Sequence, residues 1–109
     1  MPQTIFTDSN FENEVKNSQS LVLVYFWAEK CDSCETTKKV FEKLIEEYDS
    51  SKIKIGKLNV DDNQVVATQC NILSIPTFLL FRNGQMIDKC IGDVPEERLK
   101  QMICKEILL

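Results

Sequence analysis

The sequence predicts an α/β domain in which a mixed central β-sheet is flanked by helices on both faces. Residues 21–27, "LVLVYFW", form a continuous apolar and aromatic run, which is typical of a central strand covered on both sides. Between residues 32 and 48 the apolar positions recur at steps of three and four, which indicates an amphipathic helix. Two β-rich runs flank Asn83-Gly84, a dipeptide that favours a tight hairpin between antiparallel strands.

Two further elements before residue 61 are predicted from shorter sequence patterns. Ser9 and Glu12 have the spacing of a capping box, so a short helix is expected to start at Asp8 or Ser9 and to continue to about Lys16. Residues 52–60 alternate between apolar and polar side chains, which predicts a strand.

The last elements complete the predicted order. Asp61 or Asp62 is expected to start a helix that reaches Cys70, and Pro95 suits the first turn of a closing amphipathic helix. The predicted order is β-α-β-α-β-α-β-β-α. With 109 residues, the chain (residues 1–109) is expected to form a single domain around one core.

Composition and charge narrow the range of functions. The net charge of −4 disfavours binding to nucleic acid or to an anionic membrane, since both need clustered Lys and Arg. The longest apolar run is far too short to span a bilayer, and the amino terminus lacks a basic region followed by an apolar stretch. We therefore expect a cytoplasmic protein. A monomer is also expected. The absence of histidine excludes a Cys/His zinc site and an imidazole base.

The chain has five cysteines, of which Cys31 and Cys34 have a diagnostic spacing. They fall between the predicted strand and the long helix, where the helix amino terminus stabilises a thiolate. Cys31 is therefore expected to act as the nucleophile toward a disulfide. Cys34, one turn further in and more buried, is expected to resolve the mixed disulfide. The alternative is a pair of buried cysteines without a redox role.

Four segments together resemble the thioredoxin family along essentially the whole chain: "LVYFWAEKC", "KLNVD", "ILSIPTFLLFRNGQ" and "CIGD". The resemblance implies the thioredoxin fold and reduction of protein disulfides by the Cys31/Cys34 dithiol, with no cofactor beyond that redox-active disulfide. It also implies two kinds of partner, a thioredoxin-reductase-type electron donor and disulfide-containing protein substrates. Four residues match the positions of the family's docking surface: Trp27, Ile75, Pro76 and Gly92. The resemblance also implies that the peptide bond before Pro76 is cis.

The residues around the two cysteines depart from the family pattern. Lys30 replaces the usual tryptophan, Asp32-Ser33 replaces Gly-Pro, and Glu35 replaces a basic residue. Lys30, Asp32 and Ser33 are expected to contact substrate and to make the docking face more polar, which predicts different partners. The added carboxylates are expected to leave the Cys31 thiolate less stabilised, and the disulfide at least as hard to reduce as in an ordinary member.

A deeper departure lies on the central strand, where Tyr25 occupies the position of the family's buried aspartate. Lys57 matches the lysine that accompanies that aspartate, and we expect it to modulate the pKa of Cys34. The other cysteines divide into a candidate regulatory thiol, Cys70, and two expected core residues, Cys90 and Cys104.

Two rival functions use the same residues. Loss of the usual aspartate and the altered rim favour a non-catalytic thioredoxin-like binding module, although the retained cysteine pair opposes it. In the other rival, two chains each contribute Cys31 and Cys34 to a metal or iron-sulfur site.

Overall fold

The computed structural model describes residues 4–107 and has the predicted architecture and element order. The strands are β1 (Thr4–Ile5), β2 (Leu21–Trp27), β3 (Ile53–Asn59), β4 (Thr77–Arg82) and β5 (Gln85–Ile91). The helices are a π-helical turn (Glu12–Lys16), α1 (Cys34–Glu47), α2 (Gln64–Gln69) and α3 (Glu96–Ile107). The strand order across the sheet is β1-β3-β2-β4-β5. Strands β1, β2 and β3 are parallel, whereas β4 is antiparallel to β2 and β5 is antiparallel to β4.

Strand β2 lies at the centre of the sheet and is covered on both faces, as its apolar sequence predicts. Alternate side chains of β2 belong to two separate core clusters, because successive residues of a strand point to opposite faces. One cluster joins Leu21, Leu23 and Tyr25 to α1 and α3. The other joins Val22, Val24 and Phe26 to α2 and the π-helical turn.

The β4–β5 hairpin turns at the predicted dipeptide. Asn83 and Gly84 have φ angles of 53° and 79°, and a type I′ turn needs positive φ at both central residues. A Cβ atom on Gly84 would also collide with the carbonyl oxygen of Lys16. The turn therefore needs glycine for its backbone conformation and for close packing against the end of the π-helical turn.

The predicted start of the first helix is wrong, because Thr7 and Asn10 bond to each other across a turn and Asp8 bonds to a distant helix. Thr7 and Asn10 exchange side-chain hydrogen bonds with each other's backbone N–H, at 2.8 and 3.2 Å. The carboxylate of Asp8 accepts hydrogen bonds from the backbone N–H groups of Val65 and Val66, at 3.3 and 2.9 Å. Asp8 therefore caps α2, which is distant in sequence.

The start of α2 also differs from the prediction. The helix begins at Gln64, after Asn63, instead of at Asp61 or Asp62. The side chain of Asn63 is buried and bonds to the Asp8 backbone N–H and the Asn59 carbonyl oxygen. The long-range bond to Asp8 and the local bond to Asn59 together fix the entry into α2, so Asp61 and Asp62 are not needed as caps.

Candidate active site

The Cys31/Cys34 pair lies between the carboxyl end of β2 and the amino end of α1, as predicted. The two cysteines form a disulfide with a Cα–Cα distance of 5.2 Å. The backbone N–H of Cys34 donates to the carbonyl oxygen of Cys31 at 3.1 Å. Cys34 is only 6% exposed, whereas Cys31 is partly exposed. Cys31 is therefore accessible from solvent, whereas Cys34 is buried at the first turn of α1.

The residues around the pair are open to solvent. Lys30, Asp32 and Ser33 are all exposed. The Ser33 side chain, at the N-cap of α1, makes no capping hydrogen bond. The three side chains that replace the family's Trp and Gly-Pro are thus free to meet another molecule.

Tyr25 and Thr37 form a buried pair of hydroxyl groups next to Cys34. The Tyr25 hydroxyl lies 2.9 Å from Thr37 Oγ1 and 3.2 Å from the Cys34 carbonyl oxygen. Thr37 Oγ1 also lies 3.2 Å from that carbonyl oxygen. Tyr25 is 2% and Thr37 0% exposed. Sequence reasoning missed Thr37, although a threonine on the inward face of α1, close to a strand tyrosine, is the available signal.

The environment of Tyr25 keeps its hydroxyl protonated. Burial is the main cause of a raised pKa of Tyr25, the hydrogen bond with Thr37 opposes it, and the negative charge of Glu35 adds to it. The ring stacks on Phe78 with centroids 4.8 Å apart and packs against Phe41 at 5.0 Å. Tyr25 is therefore a neutral, firmly packed hydroxyl donor where the family has a carboxylate.

A cavity of about 320 Å³ adjoins the disulfide. Its lining residues come from β2, the following loop, α1 and β3: Tyr25, Trp27, Ala28, Glu29, Cys31, Cys34, Glu35, Lys38, Phe41, Glu42 and Lys57. Lys57 is the direct neighbour of Tyr25 in the register of β2 and β3. Its Nζ atom lies 5.0 Å from the centre of the Trp27 ring, within cation–π range. The structure thus brings Lys57, Trp27 and Cys34 to the same cavity.

The expected docking residues converge on the same edge of the sheet. Thr77, the first residue of β4, pairs with Phe26 of β2 and with Ile91 of β5. Pro76 and Gly92 flank this register point, and the Gly92 N–H donates to the Pro76 carbonyl oxygen at 2.8 Å. Trp27 follows Phe26 at the end of β2. The Ile75–Pro76 peptide bond is cis, as the resemblance implies, and Ile75 is half-buried.

The three remaining cysteines differ in their surroundings. Cys90 is buried in the core, as predicted, and burial raises the pKa of its thiol. Cys70 is half-buried beside a second cavity of about 170 Å³, and burial also raises its pKa. The prediction that Cys104 is a core residue is wrong. The inward positions of α3 are Leu99, Met102 and Ile103, so Cys104 is exposed, with its sulfur 3.4 Å from the Tyr48 hydroxyl.

Metal-binding groups and membrane-spanning helices are the other features considered for the described residues. Across residues 4–107, no three or more cysteine, aspartate or glutamate side chains come together in a group that could hold a metal ion. None of the helices in that part of the chain is both long and apolar enough to span a membrane.

Comparisons with known proteins agree with this geometry. A family model described as Thioredoxin matches residues 2–105. The chain is 43% identical to the thioredoxin of Porphyra purpurea over 101 residues, which cover 93% of this chain and 94% of that protein. It is 42% identical to thioredoxin 1 of Nostoc sp. with the same coverage. It is 40% identical to the thioredoxin of Haemophilus influenzae over 100 residues, 92% of each chain.

The α/β fold and a disulfide-forming Cys-x-x-Cys pair at a strand-to-helix junction define a thiol-disulfide oxidoreductase. The chain belongs to the thioredoxin family. It is a protein-disulfide oxidoreductase, and Cys31 and Cys34 fit the family's active site. Neither a binding module without redox activity nor a metal-binding dimer is favoured by these findings.

Proposed function

We propose that this protein reduces protein disulfides, with Cys31 as the nucleophile and Cys34 as the resolving residue. The observation that carries the assignment is the difference in exposure across the disulfide, since Cys31 is partly exposed and Cys34 is 6% exposed. A protein substrate can approach only an accessible sulfur, whereas an internal attack suits a buried one. The amino end of α1 adds a positive potential that favours the thiolate form.

The proposed reaction has two exchange steps. The Cys31 thiolate attacks one sulfur of the substrate disulfide, and the other substrate sulfur leaves as a thiolate. Cys34 then loses its proton and attacks the Cys31 sulfur, so the second substrate sulfur leaves in turn. The substrate gains two electrons and two protons, and the Cys31–Cys34 disulfide forms without a metal or an organic cofactor.

We assign substrate docking to the sheet edge beside the disulfide. An extended substrate segment pairs with the Ile75 backbone and packs near Trp27, Pro76 and Gly92, the positions that match the family's docking surface. Around this site lie the exposed side chains Lys30, Asp32, Ser33 and Asp93. These polar residues favour substrates with complementary charges over purely apolar ones. The set of partners is therefore expected to differ from that of a family member with tryptophan before its first cysteine.

The direction and setting of the reaction complete the proposal. A reductase of the thioredoxin-reductase type returns electrons to the Cys31–Cys34 disulfide, which makes the protein a carrier in an electron-transport chain. The cytoplasm is the proposed compartment, because its thiol pool keeps such a dithiol reduced. We further propose that residues 1–109 act as one domain and as a monomer, and that Lys57 modulates the pKa of Cys34 from the wall of the cavity.

Trapping of mixed disulfides tests the two cysteine roles. A Cys34→Ser variant should hold a disulfide-containing substrate covalently at Cys31, whereas Cys31→Ser should hold none. A Cys104→Ser variant is the matched control, because it removes an exposed thiol outside the site. It should reduce insulin in the presence of dithiothreitol at the rate of the unsubstituted protein. Stronger trapping by Cys31→Ser than by Cys34→Ser would reverse the assignment.

A redox titration against a reference thiol couple tests the direction. A midpoint near or below about −270 mV, the value typical of thioredoxins, agrees with a reductant. A midpoint closer to about −120 mV, typical of a strong protein oxidant, would contradict it.

A further inference from the structure

The resolving step needs a proton acceptor, and the chain lacks the usual ones. Cys34, in the role proposed above, must become a thiolate before it attacks Cys31. The chain contains no histidine. The strand position that carries a carboxylate in the family holds Tyr25, whose hydroxyl donates to the Cys34 carbonyl oxygen. A protein group that accepts the proton must therefore lie elsewhere around Cys34 than at the Tyr25 position.

Two neighbours of Cys34 are unsuited to take the proton. Tyr25 is already protonated, and burial raises its pKa further. The Lys57 ammonium group, which lies over the Trp27 ring, has donors but no acceptor. The carboxylates near Cys34 therefore remain as candidate proton acceptors.

The cavity next to the disulfide is lined by Cys34 and by three carboxylate side chains. With about 320 Å³ it is large enough for several water molecules at about 30 Å³ each, so a proton can cross it through water. The charged and titratable side chains that line it, besides the cysteines, come from β2, the loop after β2, α1 and β3: Tyr25, Glu29, Glu35, Lys38, Glu42 and Lys57.

Among the three carboxylates that line the cavity, Glu35 is the one next to Cys34 in sequence. It follows Cys34 in the first turn of α1, and its backbone N–H donates to the Asp32 carbonyl oxygen at 3.3 Å. Glu35 is exposed, and its negative charge contributes to the raised pKa of the Tyr25 hydroxyl. Two lysines, Lys38 and Lys57, line the same cavity as Glu35.

We propose that the Glu35 carboxylate is the general base that accepts the thiol proton of Cys34, directly or through cavity water. As the Cys34 S–H bond breaks, its electron pair forms the new bond to the Cys31 sulfur. The bond between Cys31 and the substrate sulfur breaks, and its electron pair leaves with the substrate. Glu35 then releases its proton to that departing thiolate, so the carboxylate is regenerated and the substrate leaves as a thiol.

The pH dependence of the resolving step tests this role. Reduced protein is mixed rapidly with a nitrophenyl disulfide whose released thiolate is coloured. The first release depends on reagent concentration and reports Cys31, whereas the second is concentration-independent and reports the attack by Cys34. Glu35→Gln is compared with Glu35→Asp and with Glu42→Gln, which removes another cavity carboxylate.

At neutral pH we expect Glu35→Gln to slow the second release at least about tenfold, because general bases contribute about 10²- to 10⁴-fold. Its rate should then rise with pH until the thiol itself titrates, whereas the unsubstituted protein should already be fast above the pKa of a carboxyl. Glu35→Asp should recover part of the rate, and Glu42→Gln should match the unsubstituted protein. An unchanged pH profile in Glu35→Gln, or an equal loss in Glu42→Gln, would overturn the proposal.

The same experiment separates this inference from the proposed cysteine roles. In a Cys34→Ser variant the concentration-independent release should disappear while the first release remains. If the concentration-independent release persists in Cys34→Ser, Cys34 is not the resolving residue and the proposed function itself fails. If it disappears and Glu35→Gln behaves normally, only the role of Glu35 is lost.

Discussion

The hydroxyl groups of Tyr25 and Thr37 lie 2.9 Å apart in the core, and both lie 3.2 Å from the carbonyl oxygen of Cys34. Each hydroxyl has a single hydrogen, so one donates to the other while the second donates to a carbonyl oxygen. This arrangement satisfies two buried polar groups that would otherwise be costly in an apolar core. It also ties β2 to the first turn of α1, the turn that carries the resolving cysteine in the proposed mechanism.

The first prediction concerns the strength of the Tyr25–Thr37 pair. Tyr25→Phe and Thr37→Val should each lower the free energy of unfolding by about 1 kcal/mol, since the remaining hydroxyl can still donate to a carbonyl oxygen. The double variant should show a coupling energy of about 1 kcal/mol in a denaturant-based cycle. Thr36→Val, at an exposed neighbouring position, is the control and should change stability little. Strict additivity would contradict a direct hydrogen bond.

The second prediction concerns alkaline pH. Burial raises the pKa of Tyr25 in the folded chain, so the unfolded chain loses the phenolic proton first. Stability from this residue is therefore present below the ordinary tyrosine pKa of about 10 and declines as the pH rises above it. Tyr25→Phe should show a shallower decline in unfolding free energy above about pH 10. Parallel curves for the two proteins would contradict a raised pKa of Tyr25 in the folded chain.

The third prediction concerns Lys57. Replacement by methionine removes the cation from the Trp27 ring and from the wall of the cavity. The second release in the mixing experiment should slow several-fold, because a nearby positive charge stabilises a thiolate. The fluorescence of Trp27, the single tryptophan, should change as well. Lys52→Met is the control, since it removes the same charge at an exposed residue just before β3. Equal rates in both variants would exclude a role for Lys57.

The sequence predicted those elements whose local pattern agrees with their packing. Strand β2 was predicted with its observed bounds, Leu21–Trp27, because a strand buried on both faces is apolar along its whole length. The turn at Asn83-Gly84 followed from backbone conformation alone. The two cysteines were found because their spacing and their place before a helix have a chemical meaning of their own.

Other features depend on contacts between distant parts of the chain, which no local pattern contains. Asp8 has the composition of a cap for the nearest helix but caps α2 instead. Thr37 looks like an ordinary helical residue until Tyr25 is placed beside it. Cys104 follows two apolar inward positions, and a rotation of one residue around the helix decides its exposure. Glu35 was noted only as a charge near Cys31, because the cavity it shares with Cys34 is a product of the fold.

The fourth prediction concerns the three cysteines outside the disulfide. When the oxidised protein is treated with iodoacetamide and mapped by mass spectrometry, Cys104 should be modified first because it is exposed. Cys70 should react more slowly, since it is half-buried and burial raises its pKa. Cys90 should react only when the protein unfolds, since it is buried and also has a raised pKa. Early modification of Cys90 would contradict its place in the core.

The fifth prediction concerns the cap that Asp8 provides for α2. The Asp8 carboxylate accepts hydrogen bonds from the Val65 and Val66 N–H groups, so Asp8→Ala leaves two helix-terminal donors without this acceptor. The free energy of unfolding should fall by about 1 kcal/mol, the usual cost of losing an N-cap.

Ser9→Ala provides the comparison for Asp8, because Ser9 was the rival cap predicted from sequence. The Ser9 hydroxyl has an exposed contact with the Thr7 hydroxyl at 3.0 Å. The substitution should therefore change stability by less than about 0.5 kcal/mol, as is usual at the surface. Hydrogen exchange gives a second readout, because the amides of α2 should lose protection in Asp8→Ala and keep it in Ser9→Ala. Loss of α2 protection in Ser9→Ala but not in Asp8→Ala would show that Asp8 does not cap α2.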